Sequence, residues 1–201
     1  AIAAARAKMA VTITGLEAPA KIADFLAMLK NEGARYCAYA QVDLADGSAA
    51  REMVAKSVSD YGSLDVVVNN AGIQHVAPVE AFSSEAWDRV IAVNLSAAFH
   101  VSAAALPALK QASFGRIINI ASVHGLVASA QKAAYVAAKH GIIGLTKTIA
   151  LETATDDVSC NAICPGWVRT PLVEAQIEAR AKANGVPIEE EAHLLVAEKQ
   201  P

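Results

Sequence analysis

Tyr135 and Lys139 stand four residues apart in Tyr135-Val136-Ala137-Ala138-Lys139, inside a stretch, 132–151, whose alanine-rich composition favours helix. Side chains at i and i+4 share a helix face, so the phenol and the ammonium point into the same space. An ammonium about 4 Å from a phenol oxygen favours the phenolate by about 4 kcal/mol at an effective dielectric of about 20. A tyrosine so placed can take the proton of an alcohol, or return it to a carbonyl, as a general acid/base. The same pair could equally be an ordinary exposed couple, so the neighbours must decide. Ser122 lies thirteen residues before Tyr135, just past the apolar run 116–121. Its hydroxyl can hold a substrate oxygen near the phenol, or simply cap a turn. Asn94, in Val93-Asn94-Leu95-Ser96, sits mid-helix, where asparagine is a poor helix former. It reads either as a buried amide bonding to backbone or as a kink that supports a proton path through Lys139.

These residues need a scaffold, and helical and strand patterns alternate along the whole chain. Strands are expected at 11–14, 36–40, 65–68, 116–121 and 158–163. Helices are expected at 1–9 (a helix tail), 19–30, 48–61, 85–109 with Ser84 as its cap, and 132–151. Beyond Leu172 the pattern is helical, broken at Gly185-Val186-Pro187. Pro19 suits a first helical turn and Gly33 a position just past a helix end. Short apolar strands alternating with helices predict right-handed crossovers and a doubly wound parallel sheet, with ligands at the carboxyl ends of the strands. One domain over 1–201 is expected, with no internal repeat or linker. The sequence opens inside a helix, with no strand and glycine-rich turn before it, and no closing strand follows Lys199-Gln200-Pro201. The expectation is therefore an α/β domain lacking its first strand, its phosphate-binding turn and its C-terminal strand.

Composition narrows the function. The 201 residues are 54% hydrophobic and 18% charged, which suits central strands buried on both faces. A net charge of −3, a pI near 6.0 and no basic stripe argue against a nucleic-acid partner. No uninterrupted apolar run approaches the ~18 residues of a membrane span, and the N-terminus does not read as a signal peptide. An odd cysteine count (Cys37, Cys160 and Cys164) suggests a reducing, cytoplasmic setting. Cys160 and Cys164 have no second Cys or His pair nearby, so buried thiols are expected rather than a metal site.

Asn69-Asn70-Ala71-Gly72, Asn94, Ser122, Tyr135-x-x-x-Lys139 and Pro165-Gly166, in this order and spacing, resemble the short-chain dehydrogenase/reductase family. The resemblance covers nearly the whole chain. It implies a Rossmann-like fold and a catalytic tetrad of Asn94, Ser122, Tyr135 and Lys139. It also implies that Asn70, Ala71 and Gly72 lie along a dinucleotide, with Pro165, Gly166, Val168 and Thr170 covering its nicotinamide. Leu16, Asp43 and Leu44 are expected at the adenosine end, Asp43 matching the family's acidic residue near the adenine ring; otherwise Asp43 is a strand-end cap. The stretch Thr14-Gly15-Leu16-Glu17 offers no Arg or Lys to a 2′-phosphate, and Glu17 would repel one, which favours NAD over NADP.

The segments 70–76, 122–125, 132–135, 164–168 and 197–201 more closely resemble the branch of that family acting on D-3-hydroxybutyrate. A small hydroxy acid brings a carboxylate that must be paired if buried. Lys132, three residues before Tyr135, can supply the charge. Gln74, His124 and Gln176 can add hydrogen bonds, and Trp167 can wall off the methyl end. Taken singly these are ordinary surface or packing residues. The resemblance further implies a homotetramer joined through alanine-rich helices, and helices over 172–197 acting as a substrate lid. The alternatives are a 3-oxoacyl-carrier reductase, another alcohol or sugar dehydrogenase, or a catalytically silent NAD-binding protein.

Overall fold

A computed structural model describes the backbone of residues 1–168 and 171–199, and the side chains of 1–168 and 173–197. Two compact units follow one another, Ala1–Ile163 and Cys164–Pro201.

The first unit opens with a single helical turn, α1 (Ile2–Arg6), shorter than expected because Lys8 takes a left-handed φ of 59° and ends it. Strand β1 (Ala10–Gly15) pairs in parallel with β2 (Tyr36–Gln41), from Ala10 against Tyr36 to Gly15 against Gln41. Between them runs α2 (Pro19–Asn31), with Pro19 in its first turn as the sequence suggests. Helix α3 (Gly47–Tyr61) is capped by Asp46, whose carboxylate accepts the Ser48 and Ala49 N–H groups, and it stops at Gly62 in the left-handed region, φ 75°.

A second parallel group joins β3 (Val66–Asn69), β4 (Gly115–Ile120) and β5 (Val158–Ile163), with β4 in the middle. Asn69 stands opposite Asn119, and Asn119 opposite Ala162. Among the described residues β1 pairs only with β2, and β3 only with β4. The architecture is the expected α/β Rossmann-like one, with parallel strands flanked by helices.

Helix α4 (Ser84–Ile91) leads without interruption through a π-helical turn at Ala92–Ser96 into α5 (Ala97–Leu109). Its cap is Ser83, which accepts the Ala86 N–H; Ser84 is already helical. The two adjacent serines have the same chemistry, and the extended backbone of Ser83 (φ −70°, ψ 148°) decides between them. The 26 residues Ser84–Leu109 are long and apolar enough to cross a membrane by length and composition. Here Val101, Ala105 and Leu109 are spent instead on the main core, with Ala50, Val54, Val67, Ile117, Ile149, Val158 and Cys160. A smaller core beside β1 and β2 gathers Ala5, Val11, Leu29 and Cys37. Helix α6 (Ala133–Glu152) packs against β5 and against a 3-10 turn at Val123–Gly125. Lys132, expected as its first residue, is instead its N-cap.

Five amide, hydroxyl and thiol groups form a buried network around the middle strand. Asn119, fully buried, accepts from Asn69 Nδ2 at 2.8 Å and donates to Thr146 Oγ1 at 2.8 Å and Cys160 Sγ at 3.6 Å. Asn69 also donates to Ser102 Oγ at 3.2 Å. Thr146 passes its hydroxyl proton to the Ile142 carbonyl at 2.7 Å, so no member is left unpaired. Burial pushes the Cys160 thiol up to about 11, which keeps it a neutral, inert partner.

The second unit pairs α7 (Pro171–Asn184) with α8 (Ile188–Lys199) across Gly185, in the left-handed region at φ 67°. Fully buried Glu191 accepts from Arg180 Nε at 2.6 Å and Asn184 Nδ2 at 2.8 Å, and Ile177, Ala181 and Leu195 are buried with it.

Candidate active site

The catalytic candidates of the first unit converge at the carboxyl ends of β3 and β4. Tyr135 lies in the first turn of α6, and Lys139 one turn later is 4% exposed. That burial removes the reading of an ordinary surface pair. Lys139 Nζ donates to the Ile120 carbonyl at the end of β4 (2.7 Å) and stands 5.6 Å from the centroid of the Tyr135 ring. The carbonyl bond compensates part of the cost of burying an ammonium.

Asn94 is the buried amide bonding to backbone that one of its readings expects. Its amide is 1% exposed and clamps one backbone unit: Oδ1 accepts the Ile73 N–H at 2.9 Å and Nδ2 donates to the Ile73 carbonyl at 2.7 Å. The backbone around it is the π-turn, in which the Ala97 N–H reaches back five residues to the Ala92 carbonyl. Such turns recur at functional sites. Asn94 thereby fixes the loop that begins at Asn70. Gly72 in that loop has no room for a side chain: a Cβ there would lie 2.8 Å from Asn94 Oδ1 and 3.9 Å from Lys139 Nζ.

Ser122 is buried and accepts the His124 N–H at 3.2 Å, capping the turn that follows β4. The His124 ring stands edge-on to Tyr135, with centroids 6.1 Å apart. Gly125 in the same turn, which the sequence reading passed over, touches α6 directly. A Cβ there would lie 2.6 Å from the Lys139 carbonyl and 2.7 Å from Ile143 Cδ1. Gly125→Ala therefore pushes the Ser122 turn away from the Tyr135 helix. A loss of about 1–3 kcal/mol is expected, as for other overpacking substitutions, with reduced activity. Thermal unfolding and a rate assay check it, and an unchanged Tm would contradict the close approach.

Asp43, just past β2, accepts the Ala45 N–H at 3.0 Å and the Arg89 Nη1 proton at 2.8 Å. The hydrogen bond from Arg89, then that from Ala45, hold its carboxyl below the usual carboxylate range. It is both the expected strand-end cap and an exposed carboxylate. Leu16 is 61% exposed just past β1, while Leu44 is half-buried against the main core. Asn70, Ala71 and Gly72 are exposed, and Gln74 and Lys132 half-buried. Pro165, Gly166, Trp167, Val168 and Gln176 belong to the second unit. Thr170 lies outside the described residues.

The chain belongs to the short-chain dehydrogenase family, a class of oxidoreductases: the family's model, short chain dehydrogenase, matches residues 1–181. Among curated relatives, the D-beta-hydroxybutyrate dehydrogenase of Cupriavidus necator is 58% identical over 163 residues, 81% of this chain and 63% of that protein. The enzyme of the same name from Rhizobium meliloti is 45% identical over 197 residues, 98% of this chain and 76% of that protein. This chain thus spans less than two thirds of the length of the first relative. Among solved structures, NAD+-bound xylitol dehydrogenase superposes with a TM-score of 0.81 at 30% identity, over 90% of this chain and 71% of that one.

The residues present suit a nicotinamide dinucleotide along the strand ends. Leu16 and Asp43 offer an apolar surface and an acceptor at one end, side-chain-free Gly72 allows close approach in the middle, and the buried Lys139 ammonium stands beside it.

Proposed function

We propose that this chain carries the catalytic part of an NAD-dependent dehydrogenase that oxidises (R)-3-hydroxybutyrate reversibly to acetoacetate. The observation that carries the reading is the buried Lys139 ammonium, held between the Ile120 carbonyl and the Tyr135 ring beside Gly72 and Asn94. The names of the two curated relatives support the substrate.

Ser122 and Tyr135 hold the substrate hydroxyl. Tyr135, as general base, takes its proton while the carbon–oxygen bond becomes double. Lys139 sets its charge beside the Tyr135 ring and would hold the dinucleotide through its ribose. Asn94 holds the 70–73 loop and supports the path by which the proton returns to water. A bound nicotinamide dinucleotide supplies the hydride acceptor, with Leu16, Asp43 and Leu44 at its adenosine, Asn70, Ala71 and Gly72 along its length, and Pro165, Gly166, Val168 and Thr170 assigned to its nicotinamide. Lys132 pairs with the substrate carboxylate, helped by Gln74 and His124. Trp167 and Gln176 are assigned to the same substrate, and the 172–197 helices to a lid, on the family resemblance. A homotetramer in the cytoplasm belongs to the same reading.

Absorbance at the NADH band tests it, with NAD and (R)-3-hydroxybutyrate against the (S) enantiomer, NADP and Lys132→Ala. Turnover is expected with (R) and NAD. In the variant, KM should rise by about 30-fold or more, since truncating one partner of a buried charge pair costs about 2–5 kcal/mol. No turnover with (R), but turnover of an uncharged alcohol, would keep the Tyr135 chemistry and sink the substrate.

A further inference from the structure

Arg89 and Asp43 are 46 residues apart in sequence, yet Arg89 Nη1 donates to Asp43 Oδ2 at 2.8 Å. Arg89 sits in the last turn of α4, directly ahead of the π-turn that carries Asn94; Asp43 follows β2. The backbone around Asp43 is already fixed without Arg89. The Val42 N–H donates to the Gly15 carbonyl at 3.0 Å, and the Asp46 N–H to the Asp43 carbonyl at 3.0 Å. Leu44 packs on the main core. What remains for Arg89 to set is the rotation of the carboxylate. With Oδ1 on the Ala45 N–H and Oδ2 on Arg89, both oxygens are tied and the plane of the group is defined. A carboxylate has about four lone-pair sites, so each oxygen keeps acceptor capacity, on a side chain that is 46% exposed.

An ion pair this exposed adds little to stability. Orientation is a different matter. A fixed acceptor welcomes an N–H donor and rejects another acceptor, because two facing lone-pair groups leave both unpaired. We propose that Arg89 is a positioning residue for nucleobase selection, aligning the Asp43 carboxylate to accept from the exocyclic amino group of adenine and to reject a purine with an oxo group there. The proposal rests on the reading of Asp43 as the adenine contact.

The test is calorimetric titration of the protein and of Arg89→Ala, Arg89→Lys and Asp43→Ala with NAD and with nicotinamide hypoxanthine dinucleotide, alongside Tm. The unsubstituted protein is expected to prefer NAD by about tenfold, the scale of one hydrogen bond to a charged group. Arg89→Ala should reduce that preference to about twofold with little change in Tm, as for an exposed ion pair. Arg89→Lys, which keeps a donor, should restore part of it. A preference that survives Arg89→Ala but not Asp43→Ala overturns the role of Arg89 alone. Equal weakening for both dinucleotides, with a lowered Tm, makes Arg89 merely structural and also overturns it. A preference that survives Asp43→Ala removes the adenine reading, and this inference with it. Binding of neither dinucleotide removes the cofactor reading as a whole.

Discussion

The Tyr135→Phe variant is expected to lose about 10²–10⁴-fold in kcat for alcohol oxidation, the range that a positioned general acid/base contributes. The substitution removes one oxygen and leaves the ring, so the half-buried side chain keeps its place at the start of α6 and its edge contact with His124. Tm should therefore change little, and KM should rise by no more than about tenfold for the one substrate hydrogen bond lost, with Ser122 still holding the hydroxyl. Steady-state rates, with thermal unfolding as the control, measure both. A variant retaining kcat to within about a factor of ten would fall below that range and move the acid/base role to another group.

The largest effect on stability is expected at Asn119. Replacement by leucine, of similar size, removes the acceptor for Asn69 Nδ2 and the donors to Thr146 and Cys160. Ser102 still receives a bond from Asn69, and Thr146 still donates to Ile142, so the network is broken rather than emptied. Each buried group left short of a partner costs about 1–3 kcal/mol. A total of about 3–5 kcal/mol is then a large part of the 5–15 kcal/mol typical of a domain. At about 2–4 °C per kcal/mol, Tm should fall by roughly 10 °C. Asn161→Leu, on an exposed position of β5, is the control and should stay within about 0.5 kcal/mol. Equal Tm values for the two variants would mean that the network contributes nothing.

Local chemistry is what the sequence exposes most clearly. Strand β5 falls at 158–163 as expected, since Val158, Cys160 and Ala162 alternate with Ser159, Asn161 and Ile163 at the two-residue period of a strand, ahead of the turn signal Pro165-Gly166. The shared face of Tyr135 and Lys139 follows from helix geometry alone, but the burial of Lys139 does not: it depends on the Ile120 carbonyl, nineteen residues away. The misplaced cap of α4 shows the limit for two equivalent neighbours, where backbone conformation and not residue type chooses Ser83. Asn119 was passed over because one amide inside Ile117-Ile118-Asn119-Ile120 looks like an interruption of a strand. Its meaning appears only when Asn69 and Thr146 arrive from distant segments. Arg89 and Gly125 were missed for the same reason, the first meeting Asp43 and the second the Lys139 carbonyl only in the folded chain.

The π-turn also acts as a phase shifter. An α-helix advances about 100° per residue, so the bonding of Ala97 back to Ala92 absorbs one extra residue without ending the helix. The stretch before the turn can then aim Val90 inward, while the stretch after it aims Val101, Ala105 and Leu109 at the core. A deletion that restored a regular helix across Ala92–Ser96 would rotate one of these faces by about a quarter-turn relative to the other. Either the core would lose α5 or the Ile73 backbone would lose Asn94. The spacing between Ser83 and Leu109 is thus locked at both ends, and homologous chains with a one-residue length change inside it must have rebuilt either their core or the loop that Asn94 holds.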